Sequence, residues 1–180
     1  MRIKVGTSSL LIIDIQTRLF PVIADCQALA DNALWLQQVA QRIGVPVLLT
    51  EQYSKGLGQT IPSLRAGHPP AAIIEKLHFS TVSEGELFKR PGGERPQFVV
   101  CGSEAHVCVL QTVLDLLAAG RRVFVVAEAV GSRKASDKAL ALARMQQAGA
   151  SIVSREMVAF EWLEQAGSEL FREVSKTFIR

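Results

Sequence analysis

The segment Gln97-Phe98-Val99-Val100-Cys101-Gly102-Ser103-Glu104-Ala105-His106-Val107-Cys108-Val109-Leu110-Gln111 changes its periodicity halfway along. Phe98 to Cys101 is a short apolar run rich in β-branched and aromatic side chains, the pattern of a buried strand. Gly102 is expected to break it. From Ala105 onward Val109, Val113, Leu116 and Leu117 recur at helical spacing, up to Gly120. Strand, glycine turn and helix in that order put Cys108 in the first helical turn. The positive end of the helix dipole there favours a thiolate. Unpaired N–H groups at the same end can receive a developing oxyanion. Serine nucleophiles sit on comparable strand–turn–helix elbows. The plain alternative is that Cys108 is a small buried hydrophobe.

Outward from this segment, the chain alternates between the same two periodicities. Leu10 to Ile13 is a continuous aliphatic run, as in a strand covered on both faces. A helix is expected from 25 or 28 to 42, with Leu29, Leu36, Val39, Ala40 and Ile43 inward and Gly44 stopping it. Residues 46–50 read as a second strand, followed by a long polar loop over 51–60 that could line a pocket. Residues 72–75 form a shorter third strand and 84–89 a short helix. After the central strand and helix come a fifth strand at 122–127 and a helix over 136–148 carrying Leu140, Ala143 and Met145. A sixth strand at 151–153 and helices near 155–164 and 168–177 close the chain. This βαβ alternation predicts an α/β protein, a three-layer α/β/α arrangement around a six-stranded parallel sheet.

The 180 residues fit one domain spanning 1–180, long enough to bury a full core. Net charge is +3, but the Lys and Arg residues are scattered and no basic stripe is interleaved with aromatics. Nucleic acid is therefore not expected as a partner. Three cysteines without paired spacing argue against a disulfide framework or a zinc ribbon, and suit a reducing cytoplasm. The run at Leu10–Ile13 is too short to span a bilayer and lacks a signal-peptide cleavage pattern, so no membrane association is expected. The stretch Lys89-Arg-Pro-Gly-Gly-Glu-Arg-Pro96 reads as a turn-forming connector.

In open parallel sheets ligands bind beyond the C-terminal strand ends, at the point where strand order reverses. Asp14, Lys76 and Cys108 each follow the end of a different strand. Together they make a chemical set: Cys108 as nucleophile, Asp14 as general base and acid, and Lys76 as an electrostatic anchor favouring the thiolate. Each also has an ordinary reading. Asp14 can cap a turn, and a lysine such as Lys76 is most often a solvated charge. His106 competes as general base, but residues at i and i+2 do not share a helix face. Gln16, Phe20, Gln52, Tyr53, His78 and Phe79 are the expected lining of a substrate pocket. Histidines and acids at coordinating spacing are missing, so no metal and no cofactor are expected.

Asp14-Ile15-Gln16, Lys76 and Gly102-Ser103-Glu104-Ala105-His106-Val107-Cys108 together resemble the isochorismatase-like cysteine hydrolases, from about Ser9 to Val153. Leu49-Thr50-Glu51-Gln52-Tyr53, Gly56-Leu57-Gly58 and Ala141-Leu142-Ala143-Arg144-Met145 look like the isochorismatase domain-containing subgroup. The resemblance implies a Rossmann-like strand order 3-2-1-4-5-6 and an Asp14–Lys76–Cys108 triad. It implies a cis peptide at Ser103–Glu104 that turns the Glu104 N–H beside that of Cys108 as an oxyanion hole. It also implies a homo-oligomer, dimer or larger. Nicotinamidases of this superfamily carry an Asp-x-His metal site where this chain has Glu51-Gln52-Tyr53-Ser54, so nicotinamide hydrolysis is not expected. The resulting expectation is a cysteine hydrolase cleaving an amide or ureido C–N bond of a small molecule. Its alternatives are an idle binding or scaffold module, and a vinyl-ether hydrolase that does not use Cys108.

Overall fold

The computed structural model describes residues 1–179. Six parallel strands form one sheet: β1 (Ser8–Ile13), β2 (Val47–Gln52), β3 (Ile73–Lys76), β4 (Gln97–Ser103), β5 (Arg122–Gly131) and β6 (Ser151–Val153). Their spatial order is β3-β2-β1-β4-β5-β6, so the order reverses between β1 and β4. The helices are α1 (Cys26–Ile43), α2 (Ser54–Leu57), α3 (Pro62–Arg65), α4 (Leu110–Ala118), α5 (Ala135–Gln147), α6 (Arg155–Leu163) and α7 (Glu169–Val174).

Strand side chains alternate between two apolar cores. Leu10, Ile12, Leu49, Val99 and Val126 meet Leu29, Leu36 and Val39 of α1 and Val158 and Trp162 of α6. Leu11, Ile13, Leu48, Phe98, Val100 and Val125 meet Val113 and Leu116 of α4 and Ala141 and Met145 of α5. Both faces being covered explains why β1 and β4 are buried at every position. Each buried Val, Leu, Ile, Phe or Met among them stabilises the fold by about 1.5–3 kcal/mol on leaving water.

Several boundaries differ from the sequence reading, each for a local reason. Gly102 does not end β4. The strand continues to Ser103, and Gly102 sits at φ +126°, where an added Cβ would lie 2.1 Å from the Ile13 carbonyl oxygen. Glycine is the residue that lets β4 lie this close to β1. β2 likewise runs on through Glu51 and Gln52, because both polar side chains find partners inside the fold. β5 is ten residues long and passes a bulge opposite Cys101 before ending at Gly131. The expected helix at 84–89 is only a single 3₁₀ turn, Leu87–Lys89. On α5 the inward residues are Ala141 and Met145, and Leu140 is 70% exposed. The turn carrying Cys108 is a π-type turn over Ala105–Val109 rather than the first turn of a regular α-helix. Such turns recur at functional sites.

Candidate functional site

β1, β2, β3 and β4 each deliver a polar residue to the same edge of the sheet. Asp14 follows β1 directly and adopts φ +49°, a left-handed conformation that Asp tolerates better than most residues. Its carboxylate is fully buried, with Thr50 Oγ1 donating to Oδ1 at 2.6 Å and Lys76 Nζ donating to Oδ2 at 2.8 Å. Lys76, the last residue of β3, also donates to Gln52 Oε1 at 2.7 Å and to the Phe79 carbonyl at 3.0 Å. A buried ion pair persists only when its remaining hydrogen-bonding capacity is used, and these contacts use it. Ser103 Oγ donates to the Asp14 carbonyl at 2.8 Å, tying the end of β4 to the end of β1.

Cys108 lies over this pair, 6% exposed, its Sγ 4.0 Å from Gln52 Oε1. Its thiol is pushed up to about 12. Burial is the main cause, the Asp14 charge the next, and Lys76 pulls the other way without prevailing. The sequence reading expected the lysine and the helix dipole to favour thiolate. The structure differs first because the sulfur is out of water, and then because Asp14 stands beside it and already pairs with the ammonium.

The turn around Cys108 has its own supports. The Ser103–Glu104 peptide is cis. Val107 and Val109 both donate their N–H groups to the Glu104 carbonyl. The Glu104 side chain accepts from Arg133 Nε at 2.6 Å. His106 turns away from the thiol, with Nδ1 3.0 Å from Ser132 Oγ and Nε2 3.9 Å from Asp137 Oδ2.

The six residues expected to line a pocket separate into different environments. Gln52 belongs to the polar cluster itself, touching both Lys76 and the thiol. Tyr53, 53% exposed, lines a cleft of about 410 Å³ together with Ser54, Lys55, Glu75, Lys76, Leu77 and Glu84. Gln16 is no pocket wall: it is fully buried, and its amide holds the backbone of Gln52 and Gly58. Phe20 packs against the core under α1. His78 and Phe79 point their side chains outward, His78 pairing with Glu84, while their carbonyls turn back toward the Lys76 ammonium. The chain curls after β3, so backbone rather than side chains reaches the cluster there. The sequence reading does not single out Thr50, which donates to the Asp14 carboxylate, or Ser103, which donates to the Asp14 backbone carbonyl; a hydroxyl at a strand end is a natural donor to either. Among the described residues no group of three or more His, Cys, Asp or Glu side chains is placed to hold a metal ion. No described helix is long and apolar enough to cross a membrane.

An ionisable cluster at the strand-order reversal of such a sheet invites comparison with known proteins. The isochorismatase domain model matches residues 8–157. Isochorismatase domain-containing protein 2 of Macaca fascicularis is 39% identical over 178 residues, covering 97% of this chain and 84% of the relative. The solved MAR1 ribonuclease from Caenorhabditis elegans superposes at a TM-score of 0.90 with 33% identity, over 100% of this chain and 93% of that one. YcaC from Pseudomonas aeruginosa, solved with hexane-2,5-diol and covalent acrylamide, gives 0.89 with 25% identity, over 99% and 92%. Sheet order, domain match and relatives spanning nearly the whole chain agree: this chain belongs to the isochorismatase family and carries its hydrolase fold.

Proposed function

We propose that the protein is a cysteine hydrolase that cleaves the C–N bond of a small amide or ureido compound through a thioester on Cys108. The observation that carries this reading is the buried Asp14–Lys76 pair, 2.8 Å apart, with both charges acting on the Cys108 thiol. A thiol at about 12 needs a base during attack rather than before it. Asp14 takes the proton as sulfur bonds to the carbonyl carbon. The Glu104 and Cys108 N–H groups receive the oxyanion. Asp14 then gives its proton to the leaving nitrogen and the C–N bond breaks. Water attacks the thioester, Asp14 takes its proton, and the thiolate leaves and is reprotonated as the acid is released. Lys76 holds the Asp14 carboxylate in place between steps.

The scattered Lys and Arg residues form no stripe to hold a phosphodiester backbone, so the ribonuclease description of the worm neighbour is not transferred. That YcaC from Pseudomonas aeruginosa holds acrylamide covalently supports an electrophile-accepting site in this fold. We further propose a cytoplasmic enzyme, consistent with three free cysteines. We also propose a dimer or larger assembly, which would cover exposed Leu77 and Phe79. The test is turnover of a panel of small amides and ureido compounds. Cys108→Ala should abolish it. Turnover of a vinyl ether run beside the panel that needs Asp14 but survives loss of Cys108 would favour vinyl-ether hydrolysis, and no turnover of any compound would favour an idle module.

A further inference from the structure

The extension of β5 beyond its bulge pairs Val130 with Gly102 and Gly131 with Ser103, so it runs beside the last residues before the cysteine turn. The chain then passes Ser132 and Arg133 along that turn. Arg133 Nε donates to Glu104 Oε1 at 2.6 Å, and Ser132 Oγ lies 3.0 Å from His106 Nδ1. Both polar side chains of the turn ahead of Cys108 are therefore held from the β5–α5 junction. The junction is itself fixed. A Cβ on Gly131 would meet Ile23 at 2.8 Å and Leu29 at 3.0 Å, and the Ser132 carbonyl accepts from the Ala24 N–H at 3.0 Å. The hydrogen bonds among the described residues include none from the Glu104 N–H, so that group is free to face a ligand.

We infer that Arg133 and Ser132 are positioning residues, holding Glu104 and His106 so that the Glu104 N–H and the Cys108 sulfur address one carbonyl group. This rests on the nucleophile reading of Cys108. Arg133 is 58% exposed and its pair with Glu104 adds little to folding. Its contribution lies in geometry, where small misplacements of catalytic groups cost about 10–100-fold in rate. Ser132 is buried and fixes the imidazole from the other side of the turn.

The test compares two reactions at the same sulfur. Acylation by p-nitrophenyl acetate passes through an oxyanion; alkylation by iodoacetamide does not. Arg133→Ala should slow acylation of Cys108 about 10–100-fold while leaving alkylation and the melting temperature unchanged. Arg133→Lys should recover part of the loss, and Ser132→Ala should act in the same direction. Arg133→Ala combined with Glu104→Gln should lose no more than Arg133→Ala alone, because both changes cut one contact. Equal acylation rates in wild type and Arg133→Ala would overturn the inference. So would a parallel rise in alkylation and fall in melting temperature, the mark of a turn that has simply come apart. A wild type that alkylates but never acylates would overturn the nucleophile reading itself, and the inference with it.

Discussion

Replacing Asp14 with Asn should make Cys108 a faster nucleophile toward a simple alkylating agent, even as it destroys hydrolysis. Asp14 is the second cause, after burial, of the thiol's rise to about 12. Removing the carboxylate acts twice: the repelling charge disappears, and Lys76 loses the partner that neutralises it. Unit charges about 5 Å apart interact by roughly 3 kcal/mol at an effective dielectric of about 20. One pKa unit corresponds to about 1.4 kcal/mol. Because burial remains, a fall of about 1–2 units is expected. At mildly alkaline pH the thiolate fraction then rises about 10–100-fold. A less basic thiolate is intrinsically slower, so the net gain in rate is about 3–10-fold. The assay is iodoacetamide labelling at pH 8 followed by intact mass, with Cys108→Ala subtracting the other two cysteines. The same shift has a stability consequence. A thiol that keeps its proton longer when folded than when unfolded weakens the fold as pH climbs from about 8.5 toward its folded value. That alkaline loss should be smaller in Asp14→Asn. A labelling rate that is unchanged or lower would refute the electrostatic reasoning.

Other changes should separate structure from chemistry. Lys76→Met leaves a buried carboxylate without its cation and should cost about 3–5 kcal/mol in urea unfolding. The Lys76→Met, Asp14→Asn double variant should recover most of that; a loss equal to the sum of the single changes would contradict the pairing. Thr50→Val removes a charge-assisted hydrogen bond to Asp14 and should cost about 1.5–3 kcal/mol by the same measurement, with turnover reduced. Gly102→Ala drives a Cβ into the Ile13 carbonyl and should cost more than about 3 kcal/mol, seen as loss of soluble protein or a sharply lower melting temperature.

The sheet was legible because strand residues buried on both faces form unbroken apolar runs, and each run is closed by a turn or a charged residue. Asp14, Lys76 and Cys108 stood out because each follows such a run, and parallel topology puts all strand ends on one edge. What escaped was set by tertiary partners. Nothing local in Glu51-Gln52 says that their side chains will be buried, or that Thr60, Arg65 and Lys76 will reach them. The Gly102 pattern reads as a stop, and only the approach of β1 explains why it is a passage. The bulge that carries β5 on to Gly131 depends on pairing with β4, so Ser132 and Arg133 looked like loop. The ionisation of Cys108 was misjudged for a related reason. Sequence shows that a lysine is near, but not that the sulfur is out of water or that Asp14 already holds that lysine.

The covalent step is the most direct point of attack on this account. Wild-type protein is mixed with an amide that it turns over, quenched in acid during steady state, and digested for peptide mass spectrometry. The expected result is an acyl adduct on the Cys108 peptide that vanishes on hydroxylamine treatment and never forms in Cys108→Ala. Continued turnover with no acyl group on that peptide, or an adduct resistant to hydroxylamine, would contradict a thioester and with it the assignment of Cys108 as nucleophile.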